Sequence, residues 1–188
     1  MNAGTFVILS GKDPGVHSHA AAYTALQDSI ERLAEYSGSR GMSIVLEKFD
    51  RSVERKMLVS PADEAARFAN LVRIEHPSFS LLYDMGHMPL LGESLHGAPH
   101  LTDVHLGNCM VDPVNPLYGD KHPCFGCPGG GAGVDELAAF LRELSAVGFL
   151  QKRDHGESLP WVSFEVRLHA GETTQDILEN IQFAWQAT

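Results

Sequence analysis

The chain has 188 residues, of which 44% are hydrophobic and 20% charged, a composition typical of one soluble globular domain spanning residues 1–188. Its formal net charge of -10 disfavours nucleic-acid partners, and no apolar run reaches the roughly 18 residues of a membrane span. Three cysteines, an odd number, and the lack of a secretory signal pattern predict a reducing, cytoplasmic location rather than a disulfide framework.

Five short apolar segments, each bounded by Gly, Pro or polar residues, predict β-strands that alternate with helices along the chain. The strands are predicted at residues 5–10, 42–47, 79–84, 101–105 and 161–166. Strict alternation, at roughly 35–40 residues per unit, indicates a parallel α/β sheet with helices outside it. A closed barrel of eight units needs about 250 residues, so the chain predicts either a smaller open sheet or an incomplete barrel.

Two of the helices carry local signals that predict their position. Leu26, Ile30 and Leu33 recur at helical spacing and predict the buried face of the first helix. Ser60 is predicted to be the N-cap of the second helix, with Pro61 as its first residue.

Four of the predicted strands end in a residue type that binds divalent metal ions. Glu47 ends the second strand, Asp84 the third, His105 the fourth and Glu165 the fifth. Because the carboxyl ends of parallel strands meet at one edge of a sheet, we expect these side chains to converge. Three carboxylates and one imidazole suit a manganese, magnesium, cobalt or zinc ion. The alternative interpretation is four unrelated polar residues at strand ends.

A long loop rich in Gly and Pro, residues 109–133, follows the fourth strand. Loops of this length are uncommon inside a compact domain unless they are functional. The loop contains Asp120 and His122, whose spacing lets both face one ion, and His87 follows the third strand. We predict that His87, Asp120 and His122 form a possible second metal site, the alternative being ordinary loop hydrogen bonding.

Several short motifs together resemble the xylose isomerase-like TIM-barrel superfamily, which includes sugar and sugar-phosphate isomerases and epimerases and also endonuclease IV. The motifs are Leu46-Glu47, Asp84-Met-Gly-His87, Val104-His105-Leu-Gly-Asn108, Asp120-Lys-His122 and Phe164-Glu165. The resemblance covers nearly the whole chain but corresponds to the later part of the family barrel, from about its fourth strand to its eighth. It therefore implies a partial (β/α) TIM barrel of about five parallel strand–helix units, lacking the first three.

For the sugar epimerases, the resemblance implies one metal ion held by Glu47, Asp84, His105 and Glu165. The two glutamates are implied to act as the acid/base pair on opposite faces of a sugar or sugar phosphate, with an enediolate between two proton transfers. His87 falls where the family contacts substrate hydroxyls. Val111 stands where some of these epimerases carry an arginine, so the resemblance implies no particular sugar.

For endonuclease IV, the resemblance assigns His87, Asp120 and His122 to a further metal site. The histidines of that family's first metal site belong to early strands that this sequence does not match, and the acidic charge disfavours DNA. We therefore rank an isomerase or epimerase first, a metal-dependent phosphoesterase as an alternative, and a non-catalytic barrel fragment acting as an assembly unit as a further one.

The predicted strand at residues 5–10 would leave one edge of an open sheet without a partner strand. Exposed strand edges favour association with another chain. We therefore predict a homo-oligomer in which a second copy covers this edge.

Overall fold

A computed structural model describes residues 3–93, 95, 99–151 and 160–188. Its five strands are β1 Thr5–Leu9, β2 Ser43–Glu47, β3 Ser80–Asp84, β4 Leu101–Gly107 and β5 Trp161–Glu165. The helices are α1 His19–Gly38, α2 Ala62–Val72, α3 Met88–Leu91, α4 Val134–Ala146 and α5 Thr174–Ala187. The strands are parallel and follow one another in the sheet in chain order. The predicted partial TIM barrel of five strand–helix units is thereby confirmed.

The chain divides into two compact units. The first comprises Met1–Tyr83 and Gly97–Asp103, and the second Asp84–His96 and Val104–Thr188. Strands β3 and β4 therefore contribute residues to both units. A single domain over residues 1–188 stays a prediction.

In the first unit, the apolar character of β2 and β3 accounts for their position at the centre of the core. Leu46 of β2 pairs in register with Leu81 of β3, and neither side chain is exposed to solvent. Helix α2 buries Ala65, Phe68, Ala69 and Val72, which recur at the spacing of one helical face. The ring of Phe68 meets that of Phe79 edge to face at 6.2 Å, which fixes α2 against the chain entering β3.

Two local predictions in the first unit are wrong. Leu33 is exposed, whereas Ile30 of the same predicted face is buried, because helical spacing fixes which residues share a face but not what covers that face. Ser60 does not cap α2: Pro61 occupies the N-cap position, and the Ser60 hydroxyl donates a hydrogen bond to the Phe49 carbonyl at 2.6 Å.

In the second unit, α4 buries Leu137, Phe140 and Leu144 on one face. Helix α5 begins with a capping box in which the Thr173 hydroxyl accepts a hydrogen bond from the Asp176 N–H at 3.3 Å. Within the described residues, no helix is both long and apolar enough to cross a membrane.

Candidate metal centre

Asp84, the last residue of β3, is fully buried and faces three imidazole rings. Its Oδ1 accepts a hydrogen bond from the Gly86 N–H at 2.6 Å, which caps a short 3₁₀ turn. Its Oδ2 lies 3.7 Å from His87 Nε2, 3.8 Å from His122 Nδ1 and 3.9 Å from His105 Nδ1. These distances are too long for hydrogen bonds, and no described residue hydrogen-bonds to Oδ2. They match the separation of about 3–4 Å between donor atoms that share one metal ion.

A second group of ligands adjoins Asp84. Asp120 Oδ1 lies 2.7 Å from His122 Nε2 and 3.2 Å from His87 Nε2, and all three side chains are buried. His122 has a φ of 49°, in the left-handed region that residues with a side chain rarely adopt. Strained backbone of this kind concentrates at functional sites. The structure thus brings His87, Asp120 and His122 together. Both histidines place a ring nitrogen near Asp84, and Asp120 contacts both histidines.

His105 and Glu165 form the more open side of this centre. His105 Nδ1 lies 2.9 Å from Glu165 Oε2, and the two side chains are 26% and 31% exposed. Glu165 Oε1 lies 3.4 Å from His122 Nε2 and 3.3 Å from Arg167 Nη2. Chiefly through the hydrogen bond from His105, the pKa of Glu165 is lowered to about 2. Glu165 is therefore ionised near neutral pH, the form in which a carboxylate can bind a divalent ion.

Burial and neighbouring charges shift the pKa values of the buried ionisable groups in opposite directions. Burial raises the pKa of Asp84 above its usual value, although His87 and His122 act against this. Burial also tends to raise the pKa of Asp120, but hydrogen bonds from His122 and His87 outweigh it and lower that pKa. For His122, burial tends to lower the pKa, whereas the hydrogen bond to Asp120 and three nearby carboxylates raise it. The deprotonated carboxylate of Asp120 is thus stabilised by its neighbours.

Glu47 is the one predicted site residue that lies in the first unit. It ends β2, is 8% exposed, and pairs in register with Leu82, two residues before Asp84 in β3. His87, which was expected to contact substrate hydroxyls, is 1% exposed and lies against Asp120. The role of Glu47 as a metal ligand and acid/base residue and the role of His87 as a substrate contact stay predictions.

The sequence analysis assigned no role to three residues around the centre: Gly107 and Asn108, which belong to a quoted motif, and Arg167. A Cβ atom at Gly107 would lie 2.8 Å from both Asp84 Oδ1 and His122 Nδ1, so only glycine fits there without displacing these two side chains. A glycine inside a strand is the signal that could have identified this close approach.

No family model matches the chain, and none of the curated proteins matches it. Solved structures do resemble it. One is a xylose isomerase domain protein from Planctomyces limnophilus, with a TM-score of 0.65 and 17% identity over 98% of this chain and 58% of that one. Another is a 3-keto-D-glucoside 4-epimerase from E. coli, with a TM-score of 0.64 and 16% identity over 96% of this chain and 63% of that one. A third is an AP endonuclease of family 2 from Brucella melitensis, with a TM-score of 0.61 and 15% identity over 93% of this chain and 58% of that one.

At these identities the likeness shows a shared fold. The chain has the fold of the xylose isomerase-like TIM barrels, as the resemblance implied. It spans about three fifths of the length of these three structures.

Proposed function

We propose that this chain is a metal-dependent isomerase or epimerase of a sugar or sugar phosphate. Glu47, Asp84, His105 and Glu165 would hold a divalent ion of manganese, magnesium, cobalt or zinc. The observation that carries this proposal is Asp84 Oδ2, which is buried without a hydrogen-bond partner among the described residues and faces three imidazole nitrogens at 3.7–3.9 Å. A buried carboxylate oxygen is costly unless it is paired or binds a metal.

The bound ion would polarise the carbonyl and adjacent hydroxyl of a ketose. Glu165 would take the proton from the carbon next to the carbonyl, leaving an enediolate of the substrate. Glu47 would return a proton to the opposite face, so that the configuration at that carbon is inverted and no net proton is consumed. Of the two glutamates, Glu165 is the more open to solvent, at 31% side-chain exposure.

The solved structures and the cysteines support the wider setting of this proposal. An epimerase of a keto-glucoside is among the proteins with this fold. The three cysteines are all free, which fits our proposal of a cytoplasmic enzyme. A small sugar substrate, rather than nucleic acid, also suits the formal charge of -10.

The test is exchange of substrate hydrogen with solvent deuterium. The Mn-loaded protein is screened with ketoses and their phosphates in D₂O, and incorporation at the carbon next to the carbonyl is followed by NMR. Glu165→Gln should lower the rate by about a hundredfold or more, because the amide cannot accept the proton. Glu179→Gln, on the exposed face of α5, is the matched control and should exchange normally. Full deuterium uptake in Glu165→Gln would refute the acid/base assignment, and no exchange by the wild type with any ketose would refute the proposed function.

A second candidate, a metal-dependent phosphoesterase, is favoured by one specific observation. His87, Asp120 and His122 form a buried group that adjoins Asp84, so the chain offers ligands for more than one ion. Two ions that clamp the attacking and leaving oxygens are a recurring arrangement in phosphate-ester hydrolysis. The number of ions bound per chain therefore helps to distinguish the two candidates.

A further inference from the structure

Arg167 lies two residues beyond the end of β5, at the more open side of the candidate metal centre. Its backbone N–H donates a hydrogen bond to the His122 carbonyl at 2.8 Å, which fixes this position of the chain to the loop that carries Asp120. Its guanidinium Nη2 lies 3.3 Å from Glu165 Oε1, and the side chain is 47% exposed. The cation is therefore held at the site but only partly covered by protein.

Most of the hydrogen-bonding capacity of this guanidinium is unused. An arginine side chain has five N–H donors, and among the described residues Arg167 donates only to Glu165. The other oxygen of Glu165 is already in contact with His105 at 2.9 Å. The remaining donors of Arg167 are thus available to a ligand at the mouth of the site.

Another arginine of the chain, Arg51, provides a comparison because its guanidinium has more protein partners. Arg51, in the first unit, is 32% exposed and contacts three partners, which are the carboxylates of Asp13 and Glu64 and the carbonyl of Leu58. Among the described residues, the guanidinium of Arg167 has one partner, and its side chain is more exposed than that of Arg51. If Arg167 served only to neutralise Glu165, we would expect a bidentate pair, because arginine and carboxylate frequently adopt that geometry.

We propose that Arg167 is the anion-binding residue of this site, and that the sugar substrate therefore carries a phosphate or carboxylate group. This inference rests on the proposed isomerase or epimerase function and adds the substrate class to it. A planar guanidinium with free donors matches the oxygens of either anion. A local cation matters more in this chain than in most, because its formal charge of -10 repels anionic substrates at longer range.

The test compares three ketoses with the same carbon skeleton: D-fructose, D-fructose 6-phosphate and D-fructuronate. Their binding to Mn-loaded protein is measured by isothermal titration calorimetry. The wild type should bind one of the charged sugars at least about tenfold more tightly than D-fructose, as a charge-assisted pair implies. Which charged sugar is preferred distinguishes phosphate from carboxylate.

Arg167→Ala should abolish this preference while leaving the affinity for D-fructose and the Mn content unchanged. Arg167→Lys should keep part of the preference, because it retains the charge but not the planar set of donors. Arg142→Ala, at an exposed position of α4, is the matched control and should bind all three sugars as the wild type does.

Equal affinity of the wild type for the three sugars would overturn the inference and leave the proposed function standing. A preference that persists in Arg167→Ala would overturn it too, as would loss of Mn in that variant, because Arg167 would then act by holding Glu165. If the wild type binds none of the three sugars and exchanges no ketose hydrogen, the proposed function and this inference both fail.

Discussion

At the scale of single residues, Asp84 is shared by two groups of potential ligands. Its Oδ2 faces His105 on one side and His87 and His122 on the other, at 3.7–3.9 Å. Asp120 contacts the second group, through His122 at 2.7 Å and His87 at 3.2 Å. The two aspartates are equally buried, so replacing each in turn separates the roles of the two groups.

We expect Asp84→Asn to lose every bound divalent ion and Asp120→Asn to lose at most one. The amide is nearly the same size as the carboxylate but is a much weaker ligand for a divalent ion. Native mass spectrometry of protein loaded with Mn or Zn after removal of chelator gives the number of ions per chain. Asp135→Asn, at an exposed position in the first turn of α4, should bind as many ions as the wild type.

Equal loss of metal in the Asp84 and Asp120 variants would mean that the two groups form one site. A single ion per wild-type chain would favour the isomerase, whereas two or more would favour the phosphoesterase. A chain that binds no ion would favour the non-catalytic alternative.

The sequence predicts some residue-scale features of the centre better than others. The position of Glu165 could be predicted because a carboxylate at the end of an apolar strand is conspicuous, whereas its role stays a prediction. Gly107 is visible as a glycine inside a strand, but the two side chains that require it, Asp84 and His122, become known only from the packing, as does the left-handed backbone of His122. Such requirements appear only once the packing is known.

At the scale of structural elements, the loop 109–133 depends on Asn108 for its form. The Asn108 Oδ1 accepts hydrogen bonds from the N–H groups of Cys109 and Ala132, each at 2.8 Å. Its Nδ2 donates to the Cys124 carbonyl at 2.9 Å. One buried side chain therefore ties the beginning, the middle and the end of the loop that carries Asp120 and His122.

We expect Asn108→Ala to lower the free energy of unfolding by about 3 kcal/mol, since this buried side chain loses three hydrogen bonds to backbone groups at about 1 kcal/mol each. If Asp120 and His122 bind an ion as predicted, its affinity should fall with it. Urea unfolding of the apo protein and Zn titration measure the two effects. Asn115→Ala, which removes one hydrogen bond that the Leu117 N–H donates to Asn115 Oδ1 in the same loop, should cost about 1 kcal/mol or less and leave Zn binding unchanged. Equal destabilisation by the two substitutions would contradict the role given to Asn108.

The structural elements also differ in how well the sequence predicts them. The strands were predicted to within about two residues because short apolar runs between turn residues are local signals. The length of the loop could also be predicted from its Gly and Pro content. Its internal structure could not, because it rests on side-chain hydrogen bonds from Asn108 to residues up to 24 positions away.

At the scale of the whole molecule, β1 is the terminal strand of the sheet order and pairs only with β2 among the described strands. Phe6, Val7 and Leu9 of this strand are 49%, 43% and 46% exposed. An exposed apolar edge strand is unusual in a protein that stays monomeric. These exposed side chains are the physical basis of the proposed homo-oligomer.

We expect sedimentation velocity to give a dimer, with twice the 20.5 kDa mass of one chain, over a range of micromolar concentrations. Val7→Lys should shift this equilibrium to the monomer, because a charge on an edge strand must be desolvated for a second strand to pair with it. Val16→Lys is the matched control, since Val16 is 85% exposed and lies in the turn after β1, outside the strand. A wild type that remains monomeric, or a Val7→Lys variant that dimerises as strongly as the wild type, would show that β1 is not the interface. If Val7→Lys is monomeric yet still exchanges ketose hydrogen, one chain contains everything that the reaction needs.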